Sequence, residues 1–168
     1  GENTTTGASN AFFGTSSGIR NTTGYSNAFL GHFSGYYNTS GAGNTAVGTQ
    51  ALQSDTSGIA NVAVGYQSMY LNRAGSYNTA VGIYSLYAHR RPFASYNTAI
   101  GTNSLEQDTT GYYNVGVGTS SLRFNSNSIG NTAIGTNAMY NHKINDYNTA
   151  VGFESMVSDT AGYLNTAM

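Results

Sequence analysis

The residues best equipped for chemistry in this sequence are three histidines, seven carboxylates and six basic side chains. Imidazole ligates metals and moves protons near neutral pH. Yet His32, His89 and His142 share no ligand spacing with one another or with the acids. A zinc site needs several convergent ligands, and there is no cysteine to add a thiolate. Asp55, Asp108 and Asp159 recur singly, whereas calcium needs about six oxygens or more. A role in turns is expected for them, and no metal or cofactor. Ser68, Ser85, Ser104 and Ser121 recur where the residue must be small, with no base beside them. Nothing pairs a nucleophile with a base, so the chain is not read as an enzyme.

One segment concentrates recognition chemistry. Tyr87, His89, Arg90, Arg91, Pro92, Phe93 and Tyr96 lie together, and this segment holds the only proline and two of the six basic residues. Guanidinium groups make bidentate bonds to carboxylate or phosphate, and proline stiffens the backbone that presents them. The expectation is a contact loop for an acidic glycan or another protein; the alternative is a tolerated insertion. Tyr36-Tyr37 and Tyr112-Tyr113 offer further flat amphipathic area for sugar rings or for a seam between chains.

The elements behind these residues form a repeat. Asn44-Thr45-Ala46-Val47-Gly48 recurs from Asn61, Asn78, Asn97, Asn114, Asn131 and Asn148, with variants at Asn10 and Asn27 and a short copy at Asn165. Every interval is 17 residues except one of 19, between Asn78 and Asn97, where the contact segment lies. Such a fixed period marks a repeat architecture. Residues 1–43 read as atypical N-terminal repeats, a cap or junction, with Phe12-Phe13 and Phe29-Leu30 in the motif. Residues 44–168 read as regular repeats, with a two-residue insertion in the repeat 78–96. The chain starts and stops inside a repeat, as expected of a piece of a longer or processed protein.

Within a repeat the apolar period is two rather than 3.6, and β-branched residues favour a strand over a helix. Val47, Val64, Val81, Ile100, Val117, Ile134 and Val151 are expected to stack inside as the core. The opposite Ala/Gly face is then free for another chain to approach. A second segment pairs small with large (Ala51-Leu52, Ser68-Met69, Ser85-Leu86) and suits a second short strand. Gly58, Gly75, Gly111 and Gly162, replaced by Ser128 and Asn145 elsewhere, read as a left-handed corner residue. The stacked Asn44, Asn61, Asn78, Asn97, Asn114, Asn131 and Asn148 read as a hydrogen-bonded amide ladder. The fold expected is all-β: a parallel β-solenoid of about ten coils. So thin a rod looks under-supported alone, which points to an oligomer, most simply a trimer.

Composition narrows the partners. Net charge is −1 and only 8% of residues are charged, so the basic face of a nucleic-acid binder is missing. No apolar run approaches the ~18 residues of a membrane span.

The run Asn44-Thr45-Ala46-Val47-Gly48-Thr49-Gln50-Ala51-Leu52 resembles the NTAVGxxAL repeats of bacterial and phage tail-fibre-domain proteins. It is also similar to the head repeats of trimeric autotransporter adhesins. The resemblance covers nearly the whole chain from Asn10. It implies a left-handed β-roll type of solenoid, a homotrimeric rod, and an extracellular, cell-surface or virion location. It also implies attachment to a host or surface, with cell-surface glycans, receptors or other fibre proteins as partners. Nothing resembles the self-cleaving chaperone domain that ends many tail fibres.

Two other functions compete with the adhesive fibre. One is a purely structural filament or spacer. The other is ice binding, since Thr45, Thr79, Thr98, Thr132, Thr149 and Thr166 stack at one position. Val62 and Val115 interrupt that file, and it shares a face with the residues expected inside. A second file, Thr49, Thr102, Thr119 and Thr136, is broken by Tyr66, Ile83 and Phe153.

Overall fold

The computed structural model describes residues 3–89, 94–141, 146–158 and 162–168. Each repeat contributes one short strand: β1 (Ala11–Phe13), β2 (Ala28–Leu30), β3 (Thr45–Val47), β4 (Val62–Val64), β5 (Thr79–Val81), β6 (Thr98–Ile100), β7 (Val115–Val117), β8 (Thr132–Ile134), β9 (Thr149–Val151) and β10 (Thr166–Ala167). They form one ten-stranded parallel sheet in sequence order. Register is fixed by the period, so Thr79 faces Thr98 and Val81 faces Ile100 even across the insertion. The molecule is a β-solenoid of about nine turns.

Strand residues bond alternately to the two neighbouring coils. Thr98 N–H donates to Asn114 C=O at 2.8 Å, and Gly101 N–H to Val81 C=O at 2.8 Å. At the strand's end, Gly101 has φ 130°. A β-carbon there would stand 2.6 Å from the Gly118 carbonyl oxygen. The column Gly48, Gly65, Gly82, Gly101, Gly118 and Gly135 is glycine because successive backbones nearly touch.

The second segment is not a strand. Gln50 and Leu52 both take left-handed φ, 59° and 53°, and the same two positions do so in the later coils. The left-handed region costs an ordinary residue roughly 1–2 kcal/mol. Here it turns Leu52, Met69, Leu86, Leu105, Leu122 and Met139 into the interior, where all are fully buried. Backbone bonds still run from coil to coil, as in Leu52 N–H to Ser68 C=O at 2.9 Å.

That inward row reverses the expected core. Ala46, Ala63, Ala80, Ala99, Ala133 and Ala150 are fully buried, whereas Val81, Ile100, Ile134 and Val151 are exposed and Val47, Val64 and Val117 half-buried. Leucine and methionine fill the interior, and only a small residue fits opposite them. A β-carbon on Gly116 would meet Ser104 Oγ at 2.7 Å and Leu105 Cδ1 at 3.4 Å. The Ala/Gly face is therefore inside, and no second chain can approach it.

The first two coils exchange the roles. Phe12 and Phe29 replace the alanine, and Gly18 and Gly35 replace the leucine. The two rings stack at 5.1 Å, and a β-carbon on Gly18 would lie 2.7 Å from the Phe12 ring. One large side chain per coil is kept, supplied from the opposite wall.

Gly58, Gly75 and Gly111 do not adopt left-handed φ as expected. A β-carbon on Gly58 would lie 2.5 Å from the Gly75 oxygen and 2.6 Å from Asp55 Oδ1. Close approach, not positive φ, selects glycine at this corner.

Candidate interaction face and the buried corner file

Because the alanines point in, the strand residues on either side of them point out. One outward file runs Phe13, Leu30, Val47, Val64, Val81, Ile100, Val117, Ile134 and Val151, and ends at Met168. Beside it runs the file Thr45, Val62, Thr79, Thr98, Val115, Thr132 and Thr149. Phe13 is 75% exposed, Ile100 41% and Ile134 42%. No charged residue interrupts either file. At its N-terminal end, Phe12, Phe13, Phe29, Leu30 and Val47 line an open cavity of about 610 Å³.

A third file stands just before the motif asparagine. Tyr77, Tyr96 and Tyr113 are stacked ring on ring, with centroids 5.1 Å apart in both steps and interplanar angles of 4° and 11°. Each is about half exposed. Their faces cover one another, so the file presents ring edges and hydroxyls rather than platforms for sugars. Tyr36 and Tyr37 meet edge to face at 4.7 Å beneath the Arg20 guanidinium, and Tyr112 and Tyr113 meet edge to face at 5.7 Å.

Of the expected contact loop, the structure describes Tyr87, His89 and Tyr96. Tyr87 is half-buried and stacks on Tyr70 at 5.4 Å. Tyr96 belongs to the tyrosine file. His89 is fully buried, so it presents nothing to a partner. Arg90, Arg91, Pro92 and Phe93 lie outside the described residues, as do His142, Asn145 and Asp159. Among the described residues no three His, Cys, Asp or Glu side chains converge on a point that could hold a metal.

The asparagine ladder forms, but its principal bonds go to the backbone. Asn44 Oδ1 accepts the Asn61 N–H at 2.9 Å, and Asn44 Nδ2 donates to Gly58 C=O at 2.8 Å. The same pair of bonds recurs at Asn97, whose Oδ1 accepts the Asn114 N–H at 2.9 Å and whose Nδ2 reaches Gly111 C=O at 2.8 Å. Direct amide–amide bonds are longer, 3.2 Å from Asn61 to Asn44. Each asparagine thus ties its strand to the corner and to the next coil.

A second polar file runs inside that corner: Asn21, Asn38, Asp55, Asn72, His89, Asp108 and Asn125, all fully buried. Asn38 Nδ2 donates to Asn21 Oδ1 at 2.7 Å. His89 Nδ1 lies 3.1 Å from Asn72 Oδ1, and His89 Nε2 lies 3.2 Å from Asn97 Nδ2. These contacts suit the neutral ring, with Nδ1–H donating and Nε2 accepting. Burial pushes the His89 pKa down to about 4. Burial raises Asp55 to about 8 and Asp108 to about 7, against the pull of the Gly58 and Gly111 backbone N–H groups. In all three titratable residues burial favours the neutral form. The sequence displayed it only as acids, amides and a histidine sharing one corner position.

No protein-family model matches the chain, and neither a curated protein nor a solved structure matches it.

Proposed function

We propose that this chain is a structural and adhesive segment of a homotrimeric extracellular or virion fibre, of the phage tail-fibre or bacterial surface-adhesin kind. It serves attachment to a host or surface. The observation that carries this reading is the uncharged, β-branched outward face running the length of the rod. Contiguous apolar faces of this extent mark association surfaces, and three copies around one axis would cover theirs mutually. The repeat's resemblance to tail-fibre and adhesin-head repeats supports the same assembly. Self is the first partner; other fibre proteins and a cell-surface glycan or receptor are the others, reached by the sides or tip left open. Neither a nucleic acid nor insertion into a membrane is proposed, and neither is catalysis. The test joins mass to binding: an assembly of three chains that decorates target cells or a glycan array is expected. An assembly that binds no surface leaves a spacer filament, and a lone chain removes the fibre reading.

One observation favours ice binding as a second reading. The Thr45, Thr79, Thr98, Thr132 and Thr149 file lies outside rather than inside, on a regular parallel sheet. A trimer that covers this face denies it to ice. Thermal hysteresis by a single-chain form would therefore replace the fibre reading, and its absence would remove this one.

A further inference from the structure

The buried corner file has a donor and an acceptor side, and Asp55 breaks the alternation. At Asn38 and Asn72, Nδ2 reaches two acceptors. Asn38 Nδ2 donates to Asn21 Oδ1 at 2.7 Å and to Gly41 C=O at 3.3 Å. Asn72 Nδ2 donates to Asp55 Oδ1 at 3.3 Å and to Gly75 C=O at 3.1 Å. Asp55 keeps the acceptor half of this pattern, its Oδ1 taking the Gly58 N–H at 3.0 Å. Its Oδ2 occupies the donor half. There Asp55 Oδ2 and Asn38 Oδ1, on adjacent rungs, are both buried oxygens without a hydrogen-bond partner. Two buried lone-pair oxygens cannot satisfy each other unless one carries hydrogen.

We infer that Asp55 stands in the folded coil as a neutral carboxylic acid whose Oδ2–H donates to Asn38 Oδ1, so that the corner takes up a proton on folding and loosens when alkali removes it. Ionising the group would leave a carboxylate oxygen facing the Asn38 oxygen in a fully buried site. Among the described residues no cation pairs with it. Asn38 faces Asp55 from the coil before, Gly58 from its own coil and Asn72 from the coil after. The file holds no Lys or Arg, and Arg73, next to Asn72 in sequence, is exposed. The other titratable members are His89, two rungs on, and Asp108, three rungs on. Asp108 repeats the arrangement in part: its Oδ1 accepts the Gly111 N–H at 2.7 Å and its Oδ2 has no partner.

The pH window follows from the three groups together. Both acids have folded pKa values above the ordinary 3.8. Their stabilising contribution is therefore complete below about pH 4 and is lost as pH rises through about 7 and 8. His89 is lowered from 6.5 to about 4. Its contribution is complete above pH 6.5 and lost as pH falls through about 4. Between these limits the folded chain holds two extra protons at the acids and lacks one at the histidine, so stability falls as pH rises.

Thermal unfolding of wild type and Asp55→Asn at pH 5 and pH 8.5 tests this. Asparagine restores the donor that Asn21, Asn38 and Asn72 use at the same position. The wild-type Tm is expected to be lower at pH 8.5 than at pH 5. Asp55→Asn is expected to gain over wild type at pH 8.5 by at least about 5 °C more than at pH 5. An equal difference at both pH values, or a loss at pH 8.5, overturns the inference. Carboxyl ¹³C NMR of aspartate-labelled wild type supplies an independent reading. A carboxylic-acid signal persisting at pH 6.5 and absent from Asp55→Asn supports it, and ionisation of every folded aspartate below pH 5 overturns it.

Discussion

At the scale of single residues, the solenoid depends on side chains that complete backbone bonds. Removing the Asn61 amide in Asn61→Ala strands the buried Asn78 N–H, which it accepts at 3.0 Å, and the Gly75 carbonyl, to which it donates at 2.7 Å. Each unpaired group costs about 1–3 kcal/mol, so urea unfolding is expected to show a loss of about 2–6 kcal/mol. Gly101→Ala is expected to cost about 3 kcal/mol or more, because a left-handed φ and a collision with the Gly118 carbonyl act together. The asparagine ladder was legible from the 17-residue spacing alone, since nothing else explains a polar residue at a fixed place in every coil. The buried acid was not legible. Asp55 reads as a turn former, and it does accept the Gly58 N–H, but only coordinates reveal that its second oxygen is buried without a partner.

At the scale of elements, a period of two tells which residues share a face and not which face is inside. The β-branched file looked like the core because β-branched residues usually are. What decides is the volume supplied from the opposite wall, and that wall is a run of left-handed turns rather than the expected strand. Leu52 is turned inward by a left-handed φ that no propensity anticipates, and once it fills the interior only alanine fits across from it. The first two coils state the same rule in reverse, so the exchange can be tested. Phe29→Ala alone opens a cavity and is expected to cost about 3–5 kcal/mol. Gly35→Leu alone collides with the Phe29 ring and is expected to destabilise through overpacking. The double variant rebuilds the pairing of Ala46 with Leu52 and is expected to recover most of either loss. Thermal unfolding of the three proteins checks this, and strict additivity of the two losses would contradict it.

At the scale of the whole molecule, the repeat made a parallel solenoid legible before any coordinates. The same redundancy hid its outer surface, because the question of which file faces out is asked once and answered for every coil. The two-residue insertion leaves the register intact, since Thr79–Thr98 and Val81–Ile100 pair as their counterparts do. The proposed assembly rests on the outward file, and Ile100, near its middle, is the residue through which to probe it. Ile100→Asp would unfold a coil if that side chain were core. On an outward face covered by other copies, it leaves the coil intact and breaks the assembly. The decisive measurement is the solution mass, by light scattering at micromolar concentration, of wild type and Ile100→Asp, with circular dichroism recorded on both. The account predicts about 53 kDa for wild type, three copies of the 17.6 kDa chain. It predicts a single-chain mass with an unchanged β spectrum for Ile100→Asp. A wild-type mass of one chain, or an Ile100→Asp variant that keeps the wild-type mass, would contradict it.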